Sequence, residues 1–229
     1  ADAISTVSPS YAREIKTDEE GMGMAGLLRH RSEQLSGILN GIDTTLWNPA
    51  ADLHLEQTYS ARHIEGKAAN KAALQAELGL EQRTDLPLLA VVSRLTEQKG
   101  LDLLLDVAPQ ILKLPAQLVV LGSGGHALEH GWTALARKHR THCSVTIGFN
   151  EALAHRIEAG ADIFLMPSRF EPCGLNQMYS LRYGTPPLVR ATGGLADTVI
   201  DAADKKNGNG FVFGPATAAA LLQAVQRAI

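Results

Sequence analysis

One predicted strand-to-helix turn carries the side chains best suited to chemistry. It runs from Ser168 to Gln177 and contains Glu171, a proline, Cys173 and Gly174. The apolar residues before it predict a buried strand, and the spacing of apolar residues after it predicts a helix. Because ligands bind at the carboxyl ends of the strands in parallel α/β sheets, this turn is a candidate binding site.

The groups in this turn suit a ligand that carries hydroxyls. The backbone N–H groups at the start of a helix are free to bind ligand oxygens, and the carboxylate of Glu171 accepts hydrogen bonds from hydroxyls. Donors and an acceptor in one turn favour a sugar over a bare phosphate. Cys173 is either a nucleophile at a helix N-terminus or a small residue that lets the ligand approach the backbone. We expect the second role, since no His or Asn stands out as its partner.

Two cations follow an earlier predicted strand. Arg94 and Lys99 lie just after the apolar run 88–92, in a loop expected at the same edge of the sheet as Glu171. Two fixed cations there suit a diphosphate, because charge-assisted hydrogen bonds are strong and an arginine binds two oxygens at once. The alternative is a solvated loop in which Glu97 is the local partner, and spacing alone does not decide.

Two further patterns have weaker functional interpretations. Residues 122–127 match the dinucleotide pattern G-x-G-x-x-A, but they are not in the first strand–helix unit, and the next strand ends without an acid for the ribose. We therefore expect a glycine turn at Gly122 that lets a ligand or a helix approach the sheet closely. His126, Glu129 and His130 match the zinc-peptidase pattern H-x-x-E-H. No distant carboxylate ligand is evident, and we expect no metal.

The elements that must position these residues alternate between strand and helix from about residue 87 onward. Continuous apolar strands between helices favour a parallel sheet covered on both faces. The right-handed crossover rule then predicts a Rossmann-like doubly wound α/β domain. The predicted strands are 88–92, 117–121, 144–147, 162–166, 187–189 and 211–213, and the predicted helices are 100–113, 126–139, 152–159, 178–183 and 217–228. After residue 189, Gly193 and Gly194 either line the site or merely turn the chain.

The first 65 residues follow a different pattern. Residues 4–9 predict a strand with no partner nearby, and Gly21, Gly23 and Gly26 predict a flexible turn. Residues 37–49 predict a connection. There is no initiator Met, and the last residues stand inside a helical pattern, so we expect a fragment of a longer chain.

Composition narrows the classes of function. The chain has 229 residues and a net charge of −3, which gives no electrostatic reason to expect nucleic acid or a membrane surface as a partner. No apolar run approaches the roughly 20 residues that span a bilayer, and no signal peptide is visible. Two cysteines, far apart in the sequence, favour a reduced cytoplasmic protein without excluding a disulfide.

Several of these runs together resemble bacterial glycogen synthase and plant starch synthase. The resemblance covers nearly the whole chain and rests on residues 7–12, 37–49, 93–100, 161–175, 182–185 and 191–199. It implies the GT-B arrangement, in which two Rossmann-like domains face a cleft. It also implies transfer of glucose from ADP-glucose to the non-reducing end of an α-1,4-glucan, with retention of configuration and without a metal or other cofactor. The implied location is the cytoplasm of a bacterium, or the plastid of a plant.

The resemblance also divides the chain. It implies that residues 1–37 are the last piece of the N-terminal domain, residues 38–65 the connection, and residues 66–229 a C-terminal nucleotide-sugar-binding domain truncated at its end. The family's N-terminal loop that contacts donor phosphate and acceptor has no match here. The missing N-terminal domain is therefore an expected partner, beside ADP-glucose or ADP and the glucan. The isolated chain is expected to be inactive.

The resemblance assigns roles to individual residues. Arg94 and Lys99 are implied to bind the diphosphate and to stabilise charge on the departing ADP, and Glu171 to hold a glucose hydroxyl. The other implied substrate-binding residues are Asn40 near the transferred sugar, Phe149 stacked on adenine, the N–H groups of Cys173, Gly174 and Leu175, the side chain of Asn176, and Gly122 with Ser123. This sequence departs from the family pattern twice, because Asn176 stands where Thr is usual and Phe149 where Tyr is common.

The sequence leaves alternatives open for both the mechanism and the function. Retention ordinarily indicates a covalent intermediate on a carboxylate. Our hypothesis is instead that Glu171 is not a nucleophile and that the departing phosphate oxygen helps to deprotonate the incoming hydroxyl. One alternative function is a related transferase that uses UDP-glucose or another donor. A second alternative is a noncatalytic module that binds a nucleotide or a carbohydrate.

Overall fold

A six-stranded parallel sheet forms the centre of the computed structural model, which describes residues 2–229. The strands, in chain order, are β1 (Ile4–Thr6), β2 (Leu35–Gly37), β3 (Leu88–Val92), β4 (Gln117–Gly122), β5 (Cys143–Ile147), β6 (Ile163–Met166), β7 (Pro187–Arg190) and β8 (Phe211–Phe213). The α-helices are α1 (Pro9–Glu14), α2 (Ala25–His30), α3 (Gly66–Glu77), α4 (Leu101–Ile111), α5 (His126–Lys138), α6 (Glu151–Gly160), α7 (Asn176–Arg182), α8 (Gly193–Thr198) and α9 (Ala218–Ala228). Within residues 2–229, none of these helices has the length and apolar character needed to cross a bilayer.

The order of the strands confirms the predicted doubly wound sheet. The six strands lie in the order β5-β4-β3-β6-β7-β8, and all neighbours are parallel. The chain order reverses between β3 and β6, which pair with Leu89 opposite Ile163 and Ala90 opposite Phe164. In sheets of this kind the reversal leaves a crevice at the carboxyl ends of the two strands, where ligands bind.

Helices cover both faces of the sheet, which is why the strands read as continuous apolar runs. One face packs against α4, α5 and α9 through residues such as Leu104 and Leu221. The other face packs against α3, α6 and α8 through residues such as Leu74 and Ile157. Helix α7, which follows β6, contacts α6 and α8, whereas α4, which follows β3, lies on the opposite face. The two helices therefore leave neighbouring strands in opposite directions and open the crevice.

The N-terminal segment differs from its prediction. The expectation of a strand without a partner is wrong, because β1 pairs in parallel with β2, with Ile4 opposite Leu35. Helices α1 and α2 lie between these strands, so Gly26 is helical rather than part of a flexible turn. The Oγ of Ser8 accepts a hydrogen bond from the N–H of Tyr11 at 2.9 Å and thereby caps α1. A serine followed by a proline is a helix-start signal that the sequence already contains.

Helix α3 is a further element that apolar spacing does not reveal, because its buried face is largely polar. Asn70, Lys71 and Gln75 are buried beside Leu74. The Nζ of Lys71 lies 2.6 Å from Oδ2 of Asp162, which begins the turn into β6. Buried polar groups that are paired in this way are tolerated. The helix therefore forms without the wide apolar stripe on which a sequence prediction relies.

An aromatic stack holds the connection against the sheet domain. Trp47 lies between His155 of α6 and Tyr179 of α7, with ring centroids 3.9 Å and 3.8 Å away and planes inclined by 10°. Aromatic rings in such contact bury a large apolar area. The stack therefore fixes the path of the connection over α6 and α7.

A buried carboxylate anchors the same part of the connection. Asp52 accepts a hydrogen bond from the hydroxyl of Tyr183 at 2.6 Å, and its Oδ2 lies 2.7 Å from Nδ1 of His155. Burial raises the pKa of Asp52, but the hydrogen bonds from Tyr183, from the N–H of His54 and from His155 outweigh it and lower the pKa overall. The connection is thus tied to α6 and to the end of α7 by a charged group as well as by ring stacking.

Replacing the indole tests this anchoring. We expect Trp47→Ala to lower the free energy of unfolding by about 2–3 kcal/mol, because it removes a large stacked ring. Chemical denaturation followed by circular dichroism measures the change. Leu53→Ala, in the same connection but at a residue 97 % exposed, is the control and should leave stability unchanged. Equal losses in the two variants would contradict the anchoring role.

Candidate functional site

The crevice between β3 and β6 holds a cavity of about 230 Å³. One wall is the loop after β3, which carries Arg94 and Lys99, and the other is the turn after β6, which carries Glu171. The cavity is also lined by three further predicted residues, Gly174, Leu175 and Asn176. The fold therefore brings the predicted cations and the predicted carboxylate together.

A second cavity of about 290 Å³ adjoins the first. The two cavities share Val92, Ser93, Arg94 and Asn176 in their walls. The second cavity is lined by three more of the predicted residues, Gly122, Ser123 and Phe149. Phe149 is 90 % exposed, so its ring offers a free face at this side. The result is an elongated cleft with charged groups at one end and an aromatic ring at the other.

Glu171 and Lys99 are direct partners in the first cavity. The Nζ of Lys99 lies 2.5 Å from Oε2 of Glu171, and the Oγ of Ser168 donates to the same oxygen at 3.0 Å. The side chains of Lys99 and Glu171 are 20 % and 7 % exposed. Because each charge compensates for the hydration that the other has lost, the pair holds its geometry before any ligand arrives. The Oε1 of Glu171 accepts no hydrogen bond from residues 2–229 and is available to a ligand hydroxyl.

Arg94 and Gln98 connect the two walls of the cavity. The Nη2 of Arg94 donates to Oε1 of Gln98 at 3.0 Å, and the Nε2 of Gln98 donates to the carbonyl of Phe170 at 3.3 Å. The N–H of Arg169 donates to the carbonyl of Gln98 at 2.9 Å. The loop after β3 is thus bonded to the turn that carries Glu171. Arg94 keeps its remaining donors for an anionic group, since a guanidinium has five N–H donors.

Two glycines allow these loops to approach closely. At Gly100, φ is +70° and an added Cβ would lie 2.0 Å from the carbonyl oxygen of Pro167. At Gly122, an added Cβ would lie 1.8 Å from the carbonyl oxygen of Ser93. Neither contact leaves space for a side chain. The glycine turn at Gly122 therefore admits the loop that carries Arg94, in addition to lining the second cavity.

Gln177 holds the turn that carries Glu171 from within. Its Nε2 donates to the carbonyls of Cys173 and Gly174 at 3.0 Å and 3.1 Å. The N–H groups of Cys173, Gly174 and Leu175 donate to no acceptor among residues 2–229. The turn thus combines a fixed shape with free donors, as a site for ligand oxygens requires.

Cys173 occupies a packed position rather than a wall of the cleft. It is buried and lines neither cavity. An added Cβ at Gly194 would lie 2.1 Å from the carbonyl oxygen of Cys173, so the backbone here is tightly packed. Cys143 is also buried, and neither thiol is in a disulfide. This environment fits a small residue better than an accessible nucleophile.

Asn40 is the other predicted residue that lines neither cavity. It is exposed, in the segment between β2 and α3. Asn176, by contrast, is fixed in the cleft, because its Nδ2 donates to the carbonyl of Val92 at 2.7 Å. The fold therefore assembles the predicted residues of the sheet domain other than Cys173, which lies behind the cleft, and leaves the one in the connection outside.

Arg190 supports the site but was not among the predicted residues. It ends β7, and its guanidinium donates to the carbonyls of Ser168, at 2.8 Å from Nε, and Arg169. Burial lowers the pKa of Arg190, while the carboxylates of Glu14 and Glu20 act in the opposite sense. The signal was available, since a charged residue at the carboxyl end of the strand next to β6 must lie near Glu171.

The H-x-x-E-H pattern belongs to a different surface. His126 and His130 line a separate cavity of about 200 Å³ beside α5. The Oε1 of Glu129 accepts a hydrogen bond from the N–H of Gly124 at 2.8 Å and thereby holds the glycine turn. Among residues 2–229, no group of three or more His, Cys, Asp or Glu side chains is placed to hold a metal ion.

Comparison with protein families adds to this geometry. Residues 79–229 match the family described as glycosyl transferases group 1. The chain belongs to this family. Residues 1–30 match a second model, described as starch synthase catalytic domain. The group 1 match covers the large sheet and the cleft at its carboxyl edge.

Glycogen synthases are among the curated relatives of this chain. A glycogen synthase from Dechloromonas aromatica is 63 % identical over 217 residues, which are 93 % of this chain and 45 % of the relative. A glycogen synthase from Aromatoleum aromaticum is 56 % identical over 100 % of this chain and 47 % of the relative. The chain therefore spans about half the length of the curated relatives that it matches.

Solved structures share the fold. The catalytic domain of starch synthase IV from Arabidopsis thaliana, bound to ADP and acarbose, superposes with a TM-score of 0.94 and 38 % identity, over 100 % of this chain and 48 % of that one. The C-terminal domain of a glycosyl transferase group 1 protein from Francisella tularensis superposes with a TM-score of 0.57 and 16 % identity, over 82 % and 85 % of the two chains. The predicted fold class, the C-terminal half of a two-domain GT-B glycosyltransferase, is confirmed.

The close approach at Gly100 gives a test of how the site is built. We expect Gly100→Ala to lower the free energy of unfolding by about 2 kcal/mol or more, because the backbone has a positive φ and no space for a Cβ. Chemical denaturation measures the change. Gly26→Ala is the control, since nothing lies within 4 Å of its added Cβ. It should be neutral or stabilising, and a Gly100 variant as stable as the original chain would overturn this account.

Proposed function

We propose that this chain is the C-terminal, donor-binding half of a retaining glucosyltransferase of glycogen or starch synthesis. The proposed reaction moves glucose from ADP-glucose to the non-reducing end of an α-1,4-glucan. The observation that carries the proposal is the contact between Lys99 and Glu171 in the crevice. It sets a cation suited to phosphate beside a carboxylate suited to a sugar hydroxyl, and a nucleotide sugar requires both groups side by side.

The relatives support this choice of donor and acceptor. Relatives that are 63 % and 56 % identical to this chain are named glycogen synthase. The starch synthase IV domain, which matches the whole chain at 38 % identity, is bound to ADP and acarbose. ADP-glucose is therefore favoured over UDP-glucose, which stays the alternative donor.

The proposed substrate lies along the elongated cleft. The diphosphate binds Arg94 and Lys99, which stabilise the negative charge that grows on ADP as it departs, without a metal. The nucleoside lies in the second cavity, with adenine against the exposed ring of Phe149. Glu171 accepts a hydrogen bond from a glucose hydroxyl, and the free N–H groups of Gly174 and Leu175 bind neighbouring oxygens.

In the proposed reaction, the bond between C1 of glucose and the phosphate oxygen breaks, and ADP leaves with the electron pair. The 4-hydroxyl oxygen of the acceptor bonds to C1 on the same face, and its proton passes to the departing phosphate oxygen. Glu171 is not the nucleophile. In this proposal its Oε1 accepts the hydrogen bond from a glucose hydroxyl, and its Oε2 is held by Lys99 at 2.5 Å and by Ser168 at 3.0 Å, so both oxygens are engaged and the carboxylate is a weaker nucleophile.

In this proposal, residues outside this chain cover the open side of the cleft. The curated relatives are about twice as long as the part that this chain matches. Closure of two domains excludes water and assembles the catalytic groups. In this proposal Asn40, which stands in the connection, reaches the transferred sugar only in the closed state. The chain by itself then binds the donor weakly and transfers nothing.

Removing the cations tests the proposed site. In the full-length protein that contains this chain, Arg94→Ala and Lys99→Ala should each raise the barrier of the catalysed step by about 2–4 kcal/mol, because each removes stabilisation of the leaving group. Incorporation of labelled glucose into glycogen measures turnover with ADP-glucose and, separately, with UDP-glucose. Lys113→Ala, an exposed lysine after α4, is the matched control and should keep full activity.

The outcomes of this assay separate the alternatives. Faster turnover with UDP-glucose would show that UDP-glucose, rather than ADP-glucose, is the donor. If neither donor supports transfer but calorimetry detects binding of ADP, the protein is a noncatalytic nucleotide-binding module. Full activity of both cation variants would show that Arg94 and Lys99 do not bind the diphosphate. Transfer by the isolated chain would show that no second domain is needed.

A separate experiment tests the role of Glu171. With a fluorinated glucosyl donor and no acceptor, mass spectrometry of the full-length protein should find no glucose bound to Glu171, because no covalent intermediate forms there. The positive control is a retaining glycosidase, which forms a covalent glycosyl adduct on a carboxylate and is treated and digested in the same way. A glucosyl adduct on Glu171 would reject the direct transfer mechanism.

A further inference from the structure

Helix α1 is joined to helix α8 by polar contacts that no step of the proposed reaction uses. The N–H and Oγ of Ser10 donate to Oδ2 and Oδ1 of Asp197 at 2.8 Å and 2.6 Å. One turn further along α1, the Oε1 of Glu14 accepts a hydrogen bond from the N–H of Gly193 at 2.8 Å. The ring of Tyr11 lies 5.5 Å from that of Phe170, its neighbour on the turn after β6. One face of α1 thus contacts both α8 and the turn that carries Glu171.

The position of Glu14 is not explained by stability alone. Its Oε1 also lies 3.3 Å from the hydroxyl of Thr192, a residue that is only 4 % exposed. Its Oε2 is buried and has no hydrogen-bond partner among residues 2–229. A buried carboxylate oxygen without a partner destabilises the fold. A glutamate at this position is therefore best explained by the groups that it fixes, the N–H of Gly193 and the hydroxyl of Thr192.

Glu14 holds the piece of main chain on which the Glu171 turn rests. The next residue after Gly193 donates its N–H to the carbonyls of Glu171 and Pro172, at 3.2 Å and 3.1 Å. An added Cβ at Gly193 would lie 1.9 Å from the carbonyl oxygen of Glu171, so the two backbones are in direct contact. Only the backbone of residues 193 and 194 separates the carboxylate of Glu14 from the turn.

We infer that Glu14 is a positioning residue for Glu171. By fixing the N–H of Gly193 and the hydroxyl of Thr192, it sets the backbone against which the turn packs, and so places the carboxylate that meets the sugar. In the sequence, α1 lies before the connection and the residues of the cleft lie after it. The donor site therefore takes its shape only when α1 is docked on α8. This inference rests on the proposed function for its kinetic test, and it has a second test that does not.

The kinetic test uses the full-length protein. Glu14→Ala should lower kcat about tenfold or more while KM for ADP-glucose and inhibition by ADP change by less than about threefold, because misplacing one sugar contact affects the transition state more than the nucleotide. Glu14→Gln keeps an acceptor oxygen for Gly193 and should restore most of the loss. Glu19→Ala, an exposed glutamate of the same segment, should behave like the unmodified protein. Unchanged kcat in Glu14→Ala would overturn the inference.

Hydrogen exchange gives the test that is independent of the reaction. In this chain, the amide of Gly194, which donates to the carbonyls of Glu171 and Pro172, should exchange about tenfold faster in Glu14→Ala than in Glu19→Ala, with exchange in β4 and β5 unchanged. Equal protection of the Gly194 amide in the two variants would overturn the inference. If the unmodified full-length protein transfers no glucose, the proposed function fails, while the exchange experiment still decides the role of Glu14.

Discussion

The direction in which two helices leave the sheet is the constraint on which the rest of the structure depends. Helices α4 and α7 follow neighbouring strands and pack on opposite faces, so the carboxyl ends of β3 and β6 cannot be covered by either helix. The loops narrow this gap through backbone contacts, with Gly100 against Pro167 and Gly122 against Ser93. The charged groups of the cleft therefore stand on short, tightly packed main chain, which is what pre-organised electrostatic stabilisation requires.

The ion pair between Lys99 and Glu171 makes this arrangement stable without a ligand. Each side chain is mostly buried, and an isolated charge at such a place is costly. An incoming phosphate gives the ammonium a second anionic neighbour, and an incoming sugar hydroxyl gives the carboxylate a second donor. The pair therefore has to shift little on binding, and the hydrogen bond from Ser168 limits how far the carboxylate turns.

The sequence predicts most of the sheet domain, for an identifiable physical reason. Strands that are buried on both faces are continuous apolar runs, and parallel order brings their carboxyl ends to one edge, so Arg94, Lys99 and Glu171 could be placed together before any coordinates. Helix α3 could not be found, because Asn70, Lys71 and Gln75 are buried through specific pairings rather than through an apolar stripe. The pairing of β1 with β2 joins two three-residue strands across two unpredicted helices, and the contact of Glu14 with Gly193 spans most of the chain. Interactions so distant in sequence leave no local pattern.

Trp47 gives this protein a built-in optical reporter. The chain contains two tryptophans, and Trp132 is fully buried against α4 and the sheet. Trp47 stands where the connection meets the domain, stacked on His155 and Tyr179. Any swing of the connection that parts these rings changes the surroundings of one indole and leaves the other as an internal reference. The emission spectrum of the unlabelled protein therefore reports whether Trp47 stays stacked on His155 and Tyr179.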